Sequence, residues 1–323
     1  MKAIRYYSYG PPAVLKLEEI AAPTPGDTEV LIRVRAASVN PYDWHFMRGE
    51  PYPLRLMSGG REPKDSRLGA DVAGQVEAVG KSVTGFKAGD NVFGTCKGAF
   101  AEYACASESS LTLKPKNVSF EQAASAGVAA LTALQALRDK GHIQPGMKVL
   151  INGASGGVGT FAVQIAKSFS TDVTAVCSTR NVDMVRSIGA DHVVDYTRED
   201  FSKSSGHYDI VLDLVGNHSL SACRRVLKPH GVCVGAGGTT DRWMIGPLVR
   251  MITEPVLSRF GSRKLVSVLA KINTHDLTMI GELIATGKVI PVVDRVYTLG
   301  EVPKAIEYLE EGHAKGKVVI SLS

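Results

Sequence analysis

The chain has 323 residues, is 44% hydrophobic and 21% charged, and carries 37 basic against 32 acidic residues for a formal net charge of +5. That length exceeds what one hydrophobic core usually supports, so two domains are expected, and the composition is that of an ordinary folded protein. No run of five or more Lys and Arg occurs, which argues against a nucleic-acid tail, and the Ala123–Leu137 stretch, broken by Ser, Thr and Gln, is too short for a membrane span.

The first third carries short β-like runs at Val14–Ile20, Glu29–Val39, Ala70–Val79, Asp90–Phe93 and Phe100–Cys105. Turn segments such as Pro23–Asp27 and Lys87–Asp90 separate them. Many short strands with little helix predict a small barrel-like β domain. The Met1–Arg5 start reads as a strand and lacks the apolar core of a signal peptide. Five cysteines (Cys96, Cys105, Cys177, Cys223, Cys233) show no C-x-x-C spacing, which suits a reducing, cytoplasmic setting.

At Ser119 the character changes. Ser119-Phe-Glu-Gln122 has the form of a capping box, and the Ala-rich segment behind it predicts one helix to about Leu137. Strands and helices then alternate through Lys148–Asn152, Val158–Phe169, Val173–Cys177, Asn181–Ile188, His192–Asp195, Asp209–Val215, Ser219–Leu227 and Gly231–Gly235. This alternation predicts an α/β fold with a doubly wound parallel sheet, with Leu265–Ile272 as its last strand. Residues 239–264 fit no period and read as an insertion or lid. The tail reads as helix, strand, helix, strand.

Val149-Leu-Ile-Asn-Gly-Ala-Ser-Gly-Gly-Val-Gly159 is an apolar strand running into a glycine turn and a helix. Ala154-x-Gly156-x-x-Gly159 is a form of the dinucleotide fingerprint. Gly156 would admit the pyrophosphate to the backbone, and Gly159 would let the helix pack closely. Ser155, Gly156, Gly157 and Val158 are therefore candidate cofactor contacts. The next strand ends in Cys177-Ser178-Thr179-Arg180-Asn181, where such units place an acid on the ribose. No Asp or Glu lies between Val173 and Val182. Ser178, Arg180 and Asn181 can donate to a 2′-phosphate, so the cofactor expected is NADPH. Tyr196 is expected to cover the adenosine end or pack at the edge. Val215, Gly235 and Gly237 follow later strands, where the nicotinamide would sit.

Further segments carry a resemblance: Val39-Asn-Pro-Tyr-Asp-Trp44, Gly69-Ala-Asp-Val-Ala-Gly74, Gly89-Asp-x-Val-Phe-Gly94, Ala154–Gly159, Gly189-Ala-Asp191 and Gly316-Lys-Val-Val-Ile320. Over nearly its full length the chain resembles the medium-chain dehydrogenase/reductase superfamily, and within it the zinc-free quinone oxidoreductase (zeta-crystallin-like) branch. The resemblance implies a GroES-like domain over residues 1–122 and 274–323, a Rossmann domain over 123–273, an active site between them, and a homodimer formed through a sheet edge, Gly231–Gly235 or Leu265–Ile272. The positions matching two zinc ligands carry Asn40 and Ala70, and no cysteine lies near Gly127, where the third belongs. Only Cys96 and Cys105 fall where a structural-zinc loop would be. Tetrahedral zinc needs more thiolate and imidazole than that, so no metal is expected.

Without a Lewis acid, reduction of an electron-poor acceptor is easier than alcohol oxidation. The expected reaction is hydride transfer from NADPH to a quinone or an α,β-unsaturated carbonyl. Asn40 either contacts the substrate oxygen or nicotinamide or stabilises the turn before Pro41. Asp43 is expected to orient that loop, and Tyr52 to donate a phenolic hydrogen bond or pack as an aromatic. The resemblance makes Thr132 and Lys317 cofactor contacts. Short-chain dehydrogenase chemistry is excluded, because no tyrosine is followed four residues later by a lysine. The other class of function is an NADPH-binding protein with a structural or regulatory role and little turnover.

Overall fold

The computed structural model describes residues 1–203, 207–236 and 262–322. They divide into two compact units, one of Met1–Leu131, Lys271–Gly287 and Pro291–Ser323, the other of Thr132–Ala270 and Lys288–Ile290.

The first unit is built on a seven-stranded sheet in the order Val293–Thr298, Lys317–Ser321, Glu29–Val39, Asp71–Val79, Asn91–Thr95 and Leu111–Leu113, with Tyr103–Ser107 also paired to Glu29–Val39. Glu29–Val39 begins with one face buried: Val30, Ile32 and Val34 are inside while Arg33 is exposed. That is the period-two pattern of a half-covered strand. From Ala36 onward every residue is buried, so its last residues lie inside protein on both faces. In the register, Ser38 faces Asp71 on one neighbouring strand and Val39 faces Val318 on the other. Ser38, Asn40, Asp71 and Lys317 thus gather at one end of three adjacent strands. The core beneath includes Ile32, Met47, Phe100, Leu111, Ile306 and Ile320.

The second unit holds a six-stranded sheet in the order His192–Asp195, Asp172–Cys177, Lys148–Asn152, Tyr208–Asp213, Leu227–Gly235 and Lys264–Ser267. Every pairing is parallel. The central strands are continuous apolar runs, as strands covered on both faces must be. The chain starts at Lys148–Asn152, winds outward to one side and then returns to wind the other way. The reversal lies between Lys148–Asn152 and Tyr208–Asp213, and ligands of doubly wound sheets bind at the carboxyl ends of such strands. The last strand, Lys264–Ser267, is shorter than expected. The Gly231–Gly235 segment belongs to an interior strand and so offers no sheet edge. Gly237 and most of the 239–264 segment lie outside the described residues.

The single helix expected from Ser119 to Leu137 is instead divided into Phe120–Ala124 and Val128–Gln135, followed by a π-helical turn over Ala136–Lys140. The capping box at Ser119 and Gln122 does form. The interruption has a tertiary cause. At Gly127 the backbone passes against Asp71, so a Cβ there would lie 2.3 Å from Asp71 Oδ1. The next amide, Val128 N–H, donates to that same oxygen at 2.7 Å. The second helix therefore starts on a side-chain carboxylate from a strand, a partner that local sequence does not reveal. Gly127→Ala should lower the unfolding free energy by about 2 kcal/mol, through overpacking against a buried group, as measured by urea denaturation.

Candidate active site and dinucleotide turn

Asp71 is wholly buried, and donors converge on it. Its Oδ2 accepts from Ser38 Oγ at 2.7 Å, Asn40 Nδ2 at 2.9 Å and Lys317 Nζ at 3.3 Å, while Oδ1 accepts from Val128 N–H. Lys317, only 4% exposed, also donates to Asn40 Oδ1 at 2.6 Å and to the Val39 carbonyl at 3.3 Å. A buried charge needs such partners, since leaving it unpaired costs several kcal/mol.

Beside this cluster, Asp43 closes the first turn of the Pro41–Arg48 helix. Its oxygens accept from Asn40 N–H at 2.8 Å and Gly69 N–H at 2.9 Å. Burial pushes its pKa up to about 7, against those two hydrogen bonds, which favour the charged form; the Asp71 charge raises it further, and Lys317 lowers it. Asp43 thus ties its helix to the Gly69 turn. His45, the next titratable group, bonds the Glu50 carbonyl through Nδ1 at 2.7 Å, and burial lowers its pKa.

Lys317, which the resemblance makes a cofactor contact, directs its ammonium at Val39 O, Asn40 Oδ1 and Asp71 Oδ2, and strand register sets it beside Asn40. Tyr52 is half-buried before the short Pro53–Ser58 helix, with the Arg55 guanidinium 5.0 Å over its ring.

In the second unit, the Gly157–Ser168 helix begins at Gly156 with no side-chain cap and no acid in its first turn. Its first backbone N–H groups are thus left for another acceptor. Gly159 is required by packing, since a Cβ there would lie 2.2 Å from the Gly153 carbonyl oxygen. Gly156 is different. Its φ is an ordinary −83°, and a Cβ would meet only Gly153 O, at 3.5 Å. The protein itself does not demand glycine there, so what the missing side chain preserves is the space over the helix end. That space and the free amides fit a pyrophosphate.

At the end of the next strand, Asn181 is 4% exposed and donates from Nδ2 to Ser155 Oγ at 3.0 Å and Ser178 Oγ at 3.3 Å. It ties the glycine turn to the Ser178–Arg180 loop, and its Oδ1 is buried with no partner. Arg180 is exposed, and Tyr196 is 60% exposed. Sequence reading missed Asp195, whose carboxylate accepts from Thr179 Oγ1 at 2.6 Å and from Thr197. Arg198 Nε lies 3.5 Å from the same carboxylate, so Asp195 is engaged by its neighbours. Also missed were Asn152 and Asp213, which face each other across the switch point and share a 2.9 Å hydrogen bond. Asp213 Oδ1 also accepts from Gly216 N–H at 2.9 Å, shaping the loop that carries Val215. Polar residues closing two otherwise apolar strands were the available signal. Thr132 lies half-buried in the Val128–Gln135 helix, and Gly235 ends its strand.

A GroES-like sheet together with a dinucleotide turn on a doubly wound sheet defines a medium-chain dehydrogenase/reductase. The chain matches the alcohol dehydrogenase GroES-like domain over residues 26–116 and the family described as zinc-binding dehydrogenase over residues 188–320. It is 35% identical to a chloroplastic quinone oxidoreductase of Triphysaria versicolor, over 99% of this chain and 98% of that one. It is also 35% identical to an NADPH-dependent alkenal/one oxidoreductase of Arabidopsis thaliana, over 99% of this chain and 79% of that one. The solved structure of a Coxiella burnetii quinone oxidoreductase superposes with a TM-score of 0.87 at 33% identity, covering 100% of this chain and 99% of that one. The chain belongs to the medium-chain dehydrogenase/reductase superfamily, in its zinc-free quinone oxidoreductase branch, and is an oxidoreductase. The positions that the resemblance assigns to two zinc ligands carry Asn40 and Ala70, and a cation at Asn40 Oδ1 would meet the Lys317 ammonium. Among the described residues, no group of three or more His, Cys, Asp and Glu could hold a metal, and no helix is long and apolar enough to cross a membrane.

The Asp43 shift has a definite sign. The folded protein holds that proton up to about pH 7, while an unfolded carboxyl releases it near about pH 4. The resulting stability is full below the lower value and is lost as pH rises through the higher one. Urea unfolding free energies should therefore decline between pH 5 and 7 through this group, with a shallower slope in Asp43→Asn.

Proposed function

We propose that the chain is an NADPH-dependent, metal-independent reductase that passes hydride to a quinone or to the β-carbon of an α,β-unsaturated carbonyl. The observation that carries this reading is the glycine turn: an uncapped helix end beneath space that Gly156 keeps open although packing does not require it. The quinone and alkenal/one oxidoreductases among the relatives support the acceptor class.

In this reading the amides of Gly157 and Val158 bind the pyrophosphate, and Ser155 and Asn181 shape the ribose wall. Ser178 and Arg180 receive a 2′-phosphate, with Tyr196 beside it. Thr132, Val215 and Gly235 line the remaining length. The reduced nicotinamide supplies a hydride, and water supplies the proton that completes reduction. Asn40 contacts the reacting end, Asp43 holds the Asn40 loop in place, and Tyr52 borders the acceptor. A homodimer in this reading would pair through the Lys264–Ser267 edge, a reading supported by the 91% exposed Leu269 beside it. The five free cysteines suit a reducing compartment such as the cytoplasm.

The direct test is NADPH oxidation with 1,4-naphthoquinone and a small enone, run with NADH and with a chelator as controls. Turnover with NADPH, unchanged by chelator, is expected. NADPH binding without turnover would favour the holding role instead. Gly156→Val should fold like the parent yet lose NADPH binding, read by nucleotide fluorescence against the melting temperature. Arg180→Ala should raise the KM for NADPH about tenfold, the worth of one charge-assisted hydrogen bond, and leave the KM for NADH unchanged.

A further inference from the structure

We propose that Lys317 and Asp71 are positioning residues that fix the Asn40 amide in one orientation, so that Asn40 offers the reacting molecules an acceptor and not a donor. The inference rests on the reading that places Asn40 at the reacting end. It decides what kind of contact Asn40 can make with a substrate oxygen or the nicotinamide.

An amide side chain is ordinarily ambiguous, since its oxygen and nitrogen differ little in shape. Here opposite charges flank it. Oδ1 faces the Lys317 ammonium at 2.6 Å, and Nδ2 faces the Asp71 carboxylate at 2.9 Å. The reversed amide would set NH2 against an ammonium and a carbonyl against a carboxylate, losing two charge-assisted hydrogen bonds in a buried site. The ion pair therefore selects the orientation. Asn40 is itself 3% exposed, which leaves little room for a third arrangement.

The hydrogen-bonding capacity that remains follows from a count of donors. Both Nδ2 protons have partners, Asp71 Oδ2 and, at 3.3 Å, the Ser38 carbonyl. Lys317 has none to spare. The Asp43 N–H, the other donor at this cap, bonds the Asn40 backbone carbonyl at 3.0 Å with no hydrogen bond to the side chain, so a second lone pair on Oδ1 is what Asn40 retains. That lone pair suits an N–H or O–H donor, such as a carboxamide NH2 or the hydroxyl of a reduced product. It cannot stabilise an oxyanion. The same Asp71 carboxylate receives Val128 N–H, so the pair also anchors the first turn of the helix running on to Thr132.

The test compares Lys317→Met and Lys317→Arg in the parent and in Asn40→Ala. Kinetics with NADPH and 1,4-naphthoquinone accompany the side-chain amide resonances of Asn40 in 15N-asparagine-labelled protein. Lys317→Met should lower kcat about tenfold, a barrier change of about 1.4 kcal/mol, with the KM for NADPH little changed and part of the activity recovered by Lys317→Arg. In Asn40→Ala the same substitution should have no further effect. The Asn40 amide pair should be sharp in the parent and shifted or averaged in Lys317→Met. If Lys317→Met does not fold, Asp71→Asn replaces it, with the same coupling and resonance change expected. Equal loss in the Asn40→Ala background, a higher KM for NADPH at unchanged kcat, or unaltered Asn40 resonances would overturn the proposal. The resonances need no turnover, so an inactive protein with a locked Asn40 amide would reject the reductase reading alone.

Discussion

The Asp71 carboxylate is the constraint on which the first unit's polar interior depends. It has no exposed surface, and a carboxylate in that position persists only if its oxygens are met by donors. The donors come from a neighbouring strand, from the residue preceding the Pro41–Arg48 helix, from the Lys317–Ser321 strand and from the start of the Val128–Gln135 helix. One buried charge thus explains why an Ala-rich segment is broken at Gly127, why Lys317 is buried, and why the Asn40 amide is held. Asp43 lies close by but is differently satisfied. Two backbone amides support it, and burial still wins, because no cation contacts it directly.

The second unit shows the opposite economy. At the glycine turn, groups that could be satisfied internally are left open: an uncapped helix end, a glycine without a steric reason, and an asparagine carbonyl buried without a partner. Native proteins keep few unsatisfied polar groups, and each asks for a physical reason. The saturated cluster in one unit and the unsaturated turn in the other suit different tasks, the first holding geometry and the second receiving an anionic nucleotide.

Much of this was legible in order of residues. Period-two alternation marked the Glu29–Val39 strand, apolar runs marked the parallel sheet, and Ser119 with Gln122 marked a helix start, because each depends on contacts within a few positions. The dinucleotide turn was legible for the same reason, since strand, glycines and helix are contiguous. The bonds of Lys317 were not legible because its partners, Val39, Asn40 and Asp71, lie 278, 277 and 246 positions away. Asp195 was overlooked because its bond to Thr179 crosses between two strands.

By itself, then, the sequence determined the two architectures, the glycine turn that opens the Gly157–Ser168 helix and the residue types at Asn40 and Ala70. Those properties reside in residue identity and short-range spacing. Which donors remain free was decided only by the tertiary structure. Whether Asn40 can donate, whether Lys317 can reach a phosphate and whether Gly156 is sterically required all depend on what strand register and close packing bring alongside, and neither is written in local order.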